Sequence, residues 1–240
     1  MLEEENMAGF YLDKGEEKVS FQEYKKEGNT QFVEVLSGML YLPREQRKII
    51  LNFNVRDSKA PEGSKIKATI PIYLKETEAL ALAKFIMYGG IERKKYSNMQ
   101  QFPEEDAKRK ILFTSQGGTN VANLIKMKKP RKDGKCEARI FTIEVGDRKE
   151  FILKAVVGPG RVKLTNGQFD DRPNAKGLYV LCGKQDFYIS IGFDTMELLE
   201  LASEIEMKIL SMRVLEESKF QTKLRKYYEQ KGKKKEDIHF

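Results

Sequence analysis

Apolar and polar residues alternate along several short stretches of this chain, and each stretch predicts a strand with one buried face. Ile66, Ala68, Ile70, Ile72 and Leu74 alternate with Lys67, Thr69, Pro71 and Tyr73. Phe187, Ile189, Ile191 and Phe193 repeat the pattern around Tyr188 and Ser190. Similar spacing predicts strands over 32–42, 48–56, 110–116, 138–145, 149–157 and 177–182, with Asp147-Arg148 turning one hairpin. Pro71 has no N–H to donate, so its strand belongs at an edge or a bulge. The period then changes from two to a helical one twice, after Leu74 and after Phe193. The first helix is expected to stop at Gly89-Gly90. The second opens on Asp194 with Glu197 three residues on, a capping-box pattern, and its period persists through Leu210 toward Tyr228.

These two strand-to-helix units align without a gap. Ile70 falls on Ile189, Ile72 on Ile191, Leu74 on Phe193, Glu78 on Glu197, Leu80 on Leu199, Leu82 on Leu201, Ala83 on Ala202 and Ile86 on Ile205. The expected fold class is α+β, made of two antiparallel β-sheet-plus-helix repeats, about 31–92 and 108–215, within one domain. An acidic arm, 1–30, precedes it. A helical extension and basic tail, 216–240, follows. This order, with Tyr188-Ile189-Ser190-Ile191 leading into the last helix, resembles the Whirly-type fold of single-stranded nucleic-acid-binding proteins. That resemblance implies two four-stranded sheets, each followed by a helix, with the helices bringing protomers together.

Charge sharpens the picture. The net charge is +8, and it is unevenly spread. Residues 1–40 carry nine acidic and four basic side chains, residues 92–135 twelve basic and five acidic, and residues 219–240 eight basic and three acidic. Two concentrated basic segments are what a groove for a phosphate backbone requires, and the acidic arm is expected to cover that groove when nucleic acid is absent. The chain has one histidine, His239 in the tail, and two cysteines, Cys136 and Cys182, with no pairing motif. No Ser-His or Cys-His catalytic pair can form in the body. Gly117-Gly118 and Gly158-Pro159-Gly160 lack the Gly-Lys-Ser/Thr that would make a phosphate loop. The expectation is a protein with no catalytic residues, no metal and no cofactor. No apolar run approaches the ~20 residues of a membrane span, and the first residues do not read as a signal peptide. Reduced thiols and a cytoplasmic location follow as expectations.

A protein that holds a single strand needs cations for the backbone and flat faces for the bases. The predicted cations are Lys126, Lys128, Lys129, Arg131 and Lys132, in a loop with Pro130 and Gly134; the competing reading is a solvated hairpin turn. Arg139 and Phe141 share one face of the 138–145 strand, and Lys154 lies opposite Phe151 and Leu153 on the next. Tyr73 and Tyr188 each lie off their strand's main apolar face and are the preferred exposed rings. Asn54 and Arg56 are candidates for phosphate or base-edge contact. The last residues, Asp237-Ile238-His239-Phe240, resemble the acidic-aromatic C-terminal tip of bacterial single-stranded DNA-binding proteins (SSBs), with His239 where that family has proline. The resemblance implies that Asp237, Ile238 and Phe240 dock replication or repair enzymes.

The expected function is nonspecific binding of single-stranded DNA in replication or recombination, in a plasmid, phage or other mobile element. The alternatives are a sequence-specific duplex-binding transcription or replication regulator, and an RNA-binding protein. The long final helix is also long enough to reach a neighbour, so a homo-oligomer remains open.

Overall fold

The alternating stretches form antiparallel sheets, because a strand with one apolar face is stable only when that face is covered. The computed structural model describes residues 25–27, 30–38, 47–57 and 66–236. Four strands, β1 (Lys25–Glu27), β2 (Gln31–Gly38), β3 (Lys48–Arg56) and β4 (Ile66–Lys75), form the first sheet in that order. Val33, Phe53 and Ile70 lie in one cross-strand row, and Val35, Leu51 and Ile72 in the next. All six point into the core. β4 is the end strand, so Pro71, opposite Asn52, sits at an edge as its missing N–H requires. The end of the acidic arm contributes β1; the rest of the arm lies outside the described residues, and so does its expected cover of the basic groove.

β4 runs directly into α1 (Glu76–Met87). Gly89 then takes the left-handed conformation, φ 70°, which ends α1 at the expected place. The chain does not leave the helical state there, however. α2 (Gly90–Gln101) begins at once, with the Phe85 ring packed on Gly90 so closely that a Cβ would sit 2.2 Å from it. The sequence hid α2 because only Ile91, Asn98 and Gly90 are buried on it. Asn98 ties it down by donating from Nδ2 to the carbonyls of Lys108 (3.2 Å) and Ile111 (2.7 Å).

The second sheet is built from β5 (Ile111–Thr119), β6 (Cys136–Val145), β7 (Phe151–Lys163), β8 (Phe169–Asp170), β9 (Leu178–Leu181) and β10 (Phe187–Phe193). Its main path is β10-β7-β6-β5, and β8 and β9 both pair with the far end of β7. The Asp147-Arg148 hairpin joins β6 to β7 as expected, with Val145 opposite Phe151. β7 runs six residues past its predicted end at 157, to Lys163. A short helix, α3 (Val121–Lys126), interrupts what the sequence presents as a loop after β5.

β10 runs into α4 (Thr195–Glu236) through the predicted capping box. The Asp194 N–H donates to Glu197 Oε2 and the Glu197 N–H to Asp194 Oδ1, each at 2.9 Å. Glu78, its counterpart in the first unit, accepts instead from Ser115 Oγ on β5. α1 and α4 pack against each other, and one continuous core takes in both sheets and both helices. Phe141 belongs to that core. It is fully buried, with ring centroids 5.8 Å from Phe53 and 5.9 Å from Phe113, so it offers no face to a base. The fold is thus α+β with antiparallel sheets. Among the described residues, no helix is long and apolar enough to cross a membrane.

Candidate nucleic-acid interface

The basic segment after β5 is held in place by its own backbone. Asn120 caps α3 by accepting from the Asn123 N–H at 2.9 Å. The helix ends in a pair of hydrogen bonds, from the Lys129 N–H to the Leu124 carbonyl (2.9 Å) and from the Lys128 N–H to the Ile125 carbonyl (3.0 Å). This is the Schellman arrangement, which needs a left-handed residue at its centre. That residue is Lys128, φ 55°. Glycine is the usual choice there, and its absence from the sequence concealed the helix stop.

Arg131 is not available for phosphate as the sequence reading expected. Its guanidinium donates to both oxygens of Asp186 and both oxygens of Asp133. The Asp186 and Asp133 hydrogen bonds push its pKa above the ordinary arginine value, and the bond from Arg131 holds the Asp133 carboxyl below the usual carboxylate range. Arg131 is therefore a strap. It fastens the loop to Asp186, two residues before Tyr188, across 55 positions of sequence. Lys126, Lys128, Lys129 and Lys132 are all exposed, and no ion pair among the described residues takes up any of the four.

The strap brings these lysines to the end of the second sheet where β10 begins. On the outer face of that sheet Gln116, Ile140, Val156 and Tyr188 form one cross-strand row, and Thr114, Thr142, Lys154 and Ser190 the next. Tyr188 is 52% exposed, with Lys154 Nζ 5.4 Å from its ring centroid. Lys154 and Glu144 are half-buried, and at 4.0 Å their pair is at the outer limit of an ion pair. A cation over an open ring and the exposed Thr114 and Gln116 thus share one face, and the Arg131 strap ties the lysine loop to the start of the strand that carries the ring.

Tyr73 lies elsewhere, on the outer face of the first sheet, 42% exposed. Lys48 and Arg139 lie over its ring at 5.8 and 5.7 Å. Lys48 was not singled out by sequence, because its tie to Tyr73 runs through strand pairing and not through spacing. Arg139 points from the inner face of β6 to the β4 edge, donating to the Pro71 carbonyl at 3.3 Å, and also pairs with Glu137. Asn54 is on the outer face of the first sheet by alternation, yet it is fully buried. Its Nδ2 donates to Glu34 (3.1 Å) and its Oδ1 accepts from Thr69 (2.7 Å), so its hydrogen-bonding groups are spent within the sheet. Arg56 is exposed and stacks over Phe32 at 5.0 Å. Asp237, Ile238 and Phe240 lie outside the described residues.

Among the described residues no group of three or more His, Cys, Asp or Glu side chains is gathered as a metal site. A shallow pocket of about 200 Å³ lies beyond the loop, lined by Asn120, Lys135, Cys136, Arg161, Asp171 and Arg172, among others. Its arginines are neutralised locally, Arg161 by Asp171 and Arg172 by Asp170. No protein-family model matches the chain, and no curated protein matches it.

Proposed function

We propose that this chain binds single-stranded DNA without sequence preference, in replication or recombination, and recruits partner enzymes through its C-terminal tip. The observation that carries the reading is the lysine cluster of Lys126, Lys128, Lys129 and Lys132, strapped by Arg131 and Asp186 beside the exposed Tyr188–Lys154 pair. Cations that no carboxylate neutralises remain available for phosphates, and an open ring stacks on any base. A bound strand runs along the loop and onto the outer face of the second sheet. The Tyr73 cluster on the first sheet serves as a second contact for a longer strand. The two sheet-plus-helix units make a Whirly-like frame the natural comparison.

Fluorescence anisotropy with labelled oligo-dT, competed by duplex DNA and by RNA, tests the reading. Binding should be submicromolar at low salt and should outcompete duplex. Replacing all four lysines with alanine should flatten the salt dependence by about three in log-log slope, at ~0.7 per lost phosphate contact. Binding no tighter than micromolar, or a preference for one duplex sequence, overturns it. Removing Ile238 to Phe240 should leave DNA binding intact and abolish capture of the partner enzyme.

A further inference from the structure

β7 overhangs the body. Leu153, Ala155 and Val157 point into the shared core, and the same alternation brings Arg161 and Lys163 to that face farther along, Arg161 half-buried and Lys163 exposed. The opposite face of this stretch is closed, with Val162 buried beside Cys136 and Ala175 and Tyr179 packed on them. β8 flanks the end of β7 on one side and β9 on the other, so Lys163 stands opposite both Phe169 and Leu178. Directly opposed residues of antiparallel strands share a face. Phe169, Lys163 and Leu178 therefore form one row, and the two apolar side chains are each 47% exposed. Arg161 lies over the Phe169 ring at 4.4 Å and is itself held by hydrogen bonds to Asp171 at 2.9 and 2.7 Å. A ring backed by a fixed guanidinium, with about half its surface open, is a platform on which a base stacks.

This row adjoins the lysine loop. At the start of α3 the Ala122 N–H donates to the Pro173 carbonyl, just after β8, at 2.8 Å, and Asn120 Nδ2 donates to the Ala175 carbonyl at 3.4 Å. Past Arg131, Lys135 lines the shallow pocket together with Arg161 and Asp171. The loop is thus fastened to the start of β10 by Arg131 and to the β8–β9 connection by α3. Tyr188 stands opposite Val156, seven residues before Lys163 on β7, a separation of about 23 Å along the strand. Lys135 and Lys163 are exposed, and no ion pair among the described residues takes up either. The carboxylates of the pocket, Asp170 and Asp171, are held by Arg172 and Arg161.

We propose that a single strand leaving the lysine loop crosses this pocket and stacks a base on Phe169, with Lys135 and Lys163 taking the neighbouring phosphates. The site rests on the single-strand reading above and extends it: one strand touches Tyr188 on one side of the loop and Phe169 on the other. Charge decides for nucleic acid over a protein partner here. Lys163 stands between the two apolar side chains, and a dry protein contact over the row would bury its charge. A single strand sets a phosphate beside every base it stacks.

The chain has no tryptophan, so Phe169→Trp supplies a lone fluorophore whose emission a stacked base quenches. Oligo-dT of about 30 nucleotides, longer than the ~4–16 that a compact site covers, should quench it at saturation. Adding Tyr188→Ala should move that quenching curve to weaker binding by about five- to 150-fold, the loss of one stacked base. Phe169→Ala should lower the affinity of the otherwise unchanged chain by a similar factor, and Lys163→Ala should lower its log-log salt slope by about 0.7. Neither should move the unfolding midpoint, since both side chains are exposed. No quenching by an oligomer that the parent binds overturns the proposal and leaves the single-strand reading standing. Quenching that Tyr188→Ala does not shift overturns it as well, because the two rings then serve separate strands. A parent that fails to bind oligo-dT removes both the site and the reading beneath it.

Discussion

Lys128 has positive φ, 55°, where every other described residue with positive φ is glycine. A left-handed backbone brings Cβ against the following carbonyl, at roughly 1–2 kcal/mol for a residue with a side chain. Glycine avoids that clash but loses more entropy on folding, by about 0.5–1 kcal/mol. Lys128→Gly should therefore gain about 0.5–1 kcal/mol over the parent, and a similar amount over Lys128→Ala, which removes the charge and keeps the clash. For a chain of this size that gain corresponds to a rise of about 1–4 °C in Tm. Binding should move the other way. Both variants lose one phosphate contact, so both should lower the salt-dependence slope for oligo-dT by about 0.7. Differential scanning fluorimetry, urea titration and anisotropy across a salt series measure the two effects on the same samples. A glycine variant no more stable than the alanine variant refutes the strain argument. Unchanged slopes in both refute Lys128 as a phosphate contact. A lysine kept where glycine is more stable is explained only if its charge is used, so the two effects must appear together.

Three further outcomes follow from the packing. Tyr188→Ala should weaken oligo-dT binding by about 1–3 kcal/mol with little change in the unfolding midpoint, whereas Phe141→Ala should destabilise the fold by about 3–5 kcal/mol; a Phe141 variant that unfolds like the parent would contradict its core position. At Gly118 a Cβ would lie 2.2 Å from the Glu137 carbonyl oxygen and 2.5 Å from the Tyr179 ring, so Gly118→Ala should cost upward of about 2 kcal/mol in urea unfolding. Burial, with Cys182 adding to it, pushes the Cys136 thiol pKa up, so maleimide at neutral pH should label the partly exposed Cys182 first and Cys136 only on unfolding; equal rates would count against this.

Secondary structure was legible wherever one residue's environment repeats at a fixed step. Alternation placed the strand from Phe187 to Phe193 to the residue, and put Tyr73 and Tyr188 on outer faces, because strand geometry alone sends successive side chains to opposite sides. The capping box at Asp194 and the stop at Gly89 were legible for the same reason: each is a local hydrogen-bonding or backbone requirement met within four residues. α2 and α3 were not, since α2 is anchored by the polar Asn98 and α3 ends on a lysine in a glycine position.

The amino-acid sequence by itself determined where cations are plentiful and which rings alternate outward. Tertiary structure decided which of them remain usable. Arg131 is spent on Asp186, Asn54 on Glu34 and Thr69, and Phe141 on Phe53 and Phe113, all through partners that strand pairing and chain reversal bring close. The physical reason is range. Periodicity reports the side a residue faces, but neutralisation, satisfaction and burial depend on what stands opposite, and for Arg131 that partner lies 55 residues away in the chain.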